Sequence, residues 1–96
     1  MSNETEVRSV GPIMNKGEMG DAVLEAIYED NSERKVVVEE HASYFRIKVE
    51  EECLIRMATV SDMLGSEVIF SDIEASMPSF EGFIRVETSQ IRFLSK

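Results

Sequence analysis

The side chains that could carry chemistry here are few: one histidine, one cysteine, and nineteen carboxylates against ten lysines and arginines in 96 residues. His41 follows Glu39 and Glu40, the beginning of a metal site, but a ligand set needs further nitrogen or sulfur donors and the sequence places none within reach. It reads as a solvent-exposed turn histidine. Cys53 is a nucleophile only as the thiolate, and Glu50, Glu51 and Glu52 beside it disfavour that form. It reads as a buried or half-buried strand cysteine, and as the lone cysteine it forms no internal disulfide, which fits a reducing compartment. The glutamate triple lacks the alternating oxygen ligands and the glycine of a calcium loop, so it reads as a solvated turn. Glu25 and Glu29 are paired with neither nucleophile nor metal, and no P-loop, dinucleotide fingerprint or nucleophile elbow occurs. What remains is recognition. The expectation is a protein with no catalytic residue, no cofactor and no metal, acting through the surface it docks on.

The partner is expected to be a protein. A formal charge of -9 argues against nucleic acid or an anionic membrane, because phosphate binding needs a basic footprint and the ten basic residues do not cluster. No run reaches the roughly 18 apolar residues of a membrane span, and the polar start Met1 to Glu6 lacks the basic and apolar regions of a secretion signal. A cytoplasmic location follows as the expectation. The length supports one core, with residues 1–9 as a flexible tail and residues 10–96 as the domain.

The elements that must shape the docking surface are legible in the periodicity. Val10 to Met14 is an apolar island in which Pro12, lacking an N–H, suits an edge strand or a docked extended segment. From Glu18 to Asp30, Met19, Val23, Ala26 and Ile27 share one helical face, and Asn31 is placed to end the helix in the left-handed conformation. A β meander follows: Lys35 to Glu40, then Ser43 to Val49 with Phe45, Ile47 and Val49 on one face, then a third strand with Cys53, Ile55 and Met57. Thr59 to Asp62 reads as a capped start of a short helix ending at Gly65, and Ser71 as the cap of another that Pro78 must stop before Phe80. Phe83 to Val86 and Gln90 to Leu94 form a closing hairpin around Glu87 to Ser89. The sum is a single small α+β domain, mostly antiparallel, with two to three short helices.

The densest surface signal is Ser76-Met77-Pro78-Ser79-Phe80-Glu81-Gly82, where small residues, two large apolar side chains, a proline and a glycine meet at a helix end. Such a segment is either core or contact, and one of Met77 and Phe80 is expected to close the core while the rest forms a shaped surface.

At this stretch the chain resembles the small effector, or coupling, proteins of soluble di-iron multicomponent monooxygenases, in the branch that hydroxylates toluene and epoxidises alkenes. The resemblance runs in order through Val10-Gly11-Pro12-Ile13, the helix end Glu29-Asp30-Asn31, the hairpin from Val38-Glu39 to Tyr44-Phe45-Arg46-Ile47, Leu64-Gly65, Ser79-Phe80-x-Gly82 and Gln90-Ile91-Arg92-Phe93, about nine-tenths of the chain. It implies a cofactor-free, non-catalytic protein that binds the hydroxylase near its di-iron centre. Such a protein improves the coupling of oxygen and NADH use to product and affects electron delivery from a Rieske ferredoxin and an NADH reductase. By the same resemblance, Ser76, Met77, Pro78, Ser79, Phe80 and Gly82 face the hydroxylase helices, and Gly11, Pro12 and Ile13 contribute to docking. Ser76 stands where relatives commonly carry asparagine, and Pro78 where they carry a small alanine. Bulk at Gly82 or loss of the Phe80 ring is expected to weaken activation more than the fold. The competing reading is a small-molecule-sensing regulatory domain with a ferredoxin-like sheet, for which the sequence supplies no convergent polar pocket.

Overall fold

Alternation builds the strands and a 3.6-residue period builds the first helix, and both periods aim the same side chains inward. The computed structural model describes residues 8–95; of the tail expected over residues 1–9, residues 1–7 lie outside the described residues, while Ser9 already belongs to a strand. The elements run β1 (Ser9–Asn15), α1 (Glu18–Asp30), β2 (Val36–Glu40), β3 (Tyr44–Glu50), β4 (Glu52–Arg56), α2 (Met57–Leu64), α3 (Phe70–Glu74), β5 (Ser79–Glu81), β6 (Phe83–Val86) and β7 (Gln90–Leu94). They form a four-stranded sheet, β2-β3-β1-β5, and a three-stranded sheet, β4-β7-β6, with antiparallel pairing in both. The expected α+β domain of antiparallel sheets and short helices holds, and the division of the strands between two sheets departs from the single ferredoxin-like sheet of the competing reading.

The core lies between these layers. Phe45, Ile47 and Val49 of β3, Cys53 and Ile55 of β4, and Ile91 and Phe93 of β7 are buried together with Val23, Ala26 and Ile27 of α1. Each buried branched or aromatic side chain of this kind contributes about 1.5–3 kcal/mol.

Four expectations are corrected. First, β1 is an interior strand and not an edge, with β3 on one side and β5 on the other. Its pairing with β3 runs through Ser9↔Glu50 and Val10↔Val49 and resumes in the same register at Ile13↔Arg46, lapsing at Gly11 and Pro12. A proline is tolerated there because the ladder already opens at that point. Gly11 supplies the opening: its φ is +149°, and a Cβ would stand 2.4 Å from the Ile47 carbonyl oxygen.

Second, the meander breaks after β3. Glu51 adopts φ +68°, donates its N–H to the Arg8 carbonyl (2.7 Å) and accepts the Ser95 N–H on its own carbonyl (3.0 Å). The corner is thus stitched to both ends of the domain, and β4 leaves for the second sheet. Glu52 is not free in solvent either: its carboxylate accepts a hydrogen bond from Arg92 Nε at 2.8 Å.

Third, Asn31 is not left-handed (φ -126°, ψ 41°) and is almost wholly buried. Its side-chain amide donates to the carbonyls of Ile27 and Leu54, both at 2.8 Å, and accepts the Leu54 N–H at 2.9 Å. One side chain therefore caps α1 and pairs with the backbone of β4 as a neighbouring strand would.

Fourth, Met57 begins α2 instead of ending the third strand, and Arg56, not Thr59, is its N-cap. Asp30 is the reason: its carboxylate accepts the Arg56 N–H (2.9 Å) and the Thr59 hydroxyl (2.8 Å). A carboxylate at the C-terminus of its own helix is poorly placed, but it stands at the N-terminus of α2, where negative charge is stabilising. In α3, likewise, Ile69 rather than Ser71 is the N-cap, with Asp72 accepting its N–H at 3.0 Å. That helix stops at Glu74, before Pro78 as expected.

Candidate docking site

The two segments singled out in the sequence lie side by side. β5 pairs with β1 through Gly11↔Glu81, Pro12↔Phe80 and Ile13↔Ser79. The Asn15 N–H donates to the Ser76 carbonyl at 2.8 Å, which fixes the point where the chain leaves α3. Gly11 and Pro12 are buried and Ile13 is half-buried, so this segment forms the floor and backing of β5.

Within the segment from Ser76 to Gly82 the roles divide. Met77 is buried and closes the core. Pro78 and Ser79 are exposed and Ser76 half-buried. Phe80 is 37% exposed: its ring lies 5.6 Å from that of fully buried Phe93, tilted by 48°, and its far side is open. The open side of Phe80, with Met77, Pro78, Phe70, Ile84 and Val86, lines a shallow cleft of about 500 Å³ that Glu74 borders. Gly82 turns the chain from β5 to β6 at φ +102°, and a Cβ there would meet Val10 Cγ1 at 2.7 Å and the Leu94 carbonyl oxygen at 2.8 Å. Its part is to hold β5 against its neighbours, so bulk at Gly82 strains the fold before it touches a partner.

The members of the cleft missed in the sequence are Phe70, Ile84 and Val86. A signal existed in Phe83-Ile84-Arg85-Val86, an edge strand with three large apolar residues in four, too many to bury when one face looks outward. Phe83 is 58% exposed on the other side of Gly82.

Charge on the outer face of the four-stranded sheet is paired. Arg46 Nη1 donates to Glu81 at 2.9 Å, Lys48 Nζ donates to Glu39 at 2.8 Å, and Arg46 Nε stands 3.9 Å from Glu39. The hydrogen bond from Lys48 holds the Glu39 carboxyl below its ordinary value. His41 is exposed, stacked on Tyr44 at 4.5 Å. Cys53 is buried, and desolvation pushes its thiol far up. No group of three or more potential metal ligands occurs among the described residues. The cleft beside β5 is lined mainly by apolar side chains, with Glu74 and Ser79 as its polar members.

Residues 8–94 match the model of the MmoB/DmpM family. The chain belongs to that family. Its members are regulatory, non-catalytic components of multicomponent monooxygenases. Along its whole length the chain is 34% identical to the effector subunit of the alkene monooxygenase system of Xanthobacter autotrophicus (strain ATCC BAA-1158 / Py2), covering 99% of that protein. Among solved structures it is similar to a chain of the phenol hydroxylase–regulatory protein complex, with TM-score 0.79, 16% identity, and 92% of this chain and 98% of that one covered. It is also similar to the soluble methane monooxygenase regulatory protein B, with TM-score 0.67, 19% identity, and 100% and 74% covered. At those identities the two structural likenesses concern the fold. Among the described residues no helix is long and apolar enough to cross a membrane.

Proposed function

We propose that this protein is the effector of a di-iron multicomponent monooxygenase, and that it docks on the hydroxylase through the cleft beside β5. The observation that carries the role is the end-to-end similarity to an alkene monooxygenase effector subunit. The half-exposed Phe80, backed by Phe93 and flanked by Pro78 and Ser79, supports the site. An aromatic ring with one face locked in the core is a preorganised anchor, because little rotamer freedom is left to lose on binding.

The mechanism is differential binding. An effector shifts its partner toward a productive state only by as much as it prefers that state, and a tenfold shift takes about 1.4 kcal/mol. One aromatic anchor in a well-packed contact can supply that. The activity so regulated is hydroxylation or epoxidation of an aromatic or alkene substrate. The consequence is tighter coupling of oxygen and NADH consumption to product, and altered electron delivery from a Rieske ferredoxin and its NADH reductase. A cytoplasmic location belongs to the same reading.

The test is to titrate the protein into the hydroxylase of its own system, with the electron-transfer components present, while following product and NADH. The expected result is a rise in product per NADH that saturates near one effector per active site. No change with that hydroxylase would overturn the proposal.

A further inference from the structure

The charge is segregated. Of the nineteen acidic residues, nine lie in residues 18–30 and 57–74, the stretches that hold the helices, and these stretches contain no lysine, arginine or histidine. The remaining ten acidic residues match the ten basic ones, so the helical layer carries the whole formal charge of -9. Among the described residues none of those nine carboxylates forms an ion pair, whereas the sheets hold Arg46–Glu81, Lys48–Glu39 and Arg92–Glu52.

The carboxylates surround apolar surface. Leu24 and Tyr28 of α1 face Met63 of α2 across a furrow, with Tyr28 51% and Met63 40% exposed. A second cleft continues it and shares Glu25 and Met63, and Glu18, Asp21, Glu25 and Glu29 rim the two. An apolar floor inside an all-acidic rim matches a protein surface that presents an apolar side chain ringed by lysine and arginine. The furrow is not remote from the β5 cleft. α3 packs against α1 and lends Phe70 and Glu74 to that cleft, and no basic residue lies between Arg56 and Arg85. A single large partner can therefore span both.

From this continuity and charge we infer that the α1–α2 furrow is a second contact with the hydroxylase, received by a lysine- and arginine-rich patch that steers the effector onto its site. The inference rests on the reading of the chain as a hydroxylase effector. Its contribution divides in two: the carboxylates accelerate encounter, and Tyr28 slows departure.

The experiment measures association and dissociation rates of the whole protein with its hydroxylase at low and high salt. Glu25→Lys with Glu29→Lys is compared with Glu33→Lys and Glu40→Lys, the same change of net charge outside the helices. Lysines in the second half of α1 complement the helix dipole, so the first variant should fold at least as well as the parent. The helical variant should associate about tenfold more slowly at low salt, with the difference shrinking at high salt, while the control stays near the parent rate. Tyr28→Ala should dissociate about tenfold faster, a change of about 1.4 kcal/mol. If both double variants slow association equally, the effect is net charge alone and the second contact is overturned. If Phe80→Ala weakens binding while the helical variants behave as the parent, the furrow is overturned and the β5 docking site stands. If the parent protein itself does not bind the hydroxylase, both readings fall.

Discussion

Asn31 shows how much one polar side chain can decide. It is buried, its three hydrogen bonds join the end of α1 to the backbone of β4, and the groups it satisfies have no alternative neighbour strand on that side. Asn31→Ala should therefore cost about 3 kcal/mol, since it leaves partly buried backbone groups of Leu54 unpaired as well as removing the bonds. Asn31→Asp should fail to rescue it, because a carboxylate cannot donate to the Ile27 and Leu54 carbonyls. Urea unfolding with a constant m-value checks both, and an Asp variant as stable as the parent would contradict the clamp. Cys53 makes a second residue-scale prediction. Burial raises its thiol, so the native state keeps its proton after the unfolded state has lost it. Stability is thus unaffected by this group below the ordinary thiol value of about 9.0, and falls as pH rises above it. At pH 8 a thiol reagent should label Cys53 only as fast as the domain unfolds. Labelling within seconds in buffer would show that the strand is open.

At the scale of elements, β5 is three residues long and divides its labour between structure and contact. Met77, which precedes it, is buried, and Met77→Ala should cost about 2–4 kcal/mol of stability. Phe80 keeps one face in solvent, so Phe80→Ala should cost the fold less than that while weakening hydroxylase binding by tenfold or more. Gly82→Ala should destabilise by at least about 2 kcal/mol, because a positive φ and the Leu94 carbonyl both oppose a Cβ. Thermal melts beside binding titrations separate the three, and equal losses of stability and binding for Phe80→Ala would remove it from the contact. This division was half legible in the sequence. That one of Met77 and Phe80 would be core follows from their size, and the closing hairpin from Phe83 to Leu94 follows from alternation and its turn residues. What periodicity does not hold is partnership. The interior place of β1 depends on a ladder that lapses at Gly11, the start of α2 on a carboxylate 26 positions earlier, and the break in the meander on the hydrogen bonds that Glu51 donates to the Arg8 carbonyl and accepts from the Ser95 N–H. Each is a long-range contact that cancels a local signal, and each moves a boundary by residues without changing the fold class.

For the whole molecule, the acidic helical layer is a cost to folding. Asp21, Glu25 and Glu29 stand at i, i+4, i+8 on α1, where each adjacent like-charged pair is destabilising by about 0.2–0.5 kcal/mol. Among the described residues no basic side chain pairs with them, although Arg34 and Lys35 follow immediately in sequence. The fold would be better served by a lysine in the middle of the stripe. Glu25→Lys turns two repulsive pairs into attractive ones and should stabilise the domain by about 0.8–2 kcal/mol at low salt, a rise in Tm of about 4–10 °C. The gain should shrink as salt is added, because these charges are exposed and screened over about 10 Å at 0.1 M. The parent protein should itself gain stability over the same salt range, as its own repulsion is damped. If Glu25→Lys leaves Tm unchanged at low salt, the stripe is already compensated and carries no cost. If it raises Tm while slowing association with the hydroxylase, the same carboxylate opposes folding and favours docking, which is the relation expected when a surface charge is held for a partner rather than for the chain that bears it.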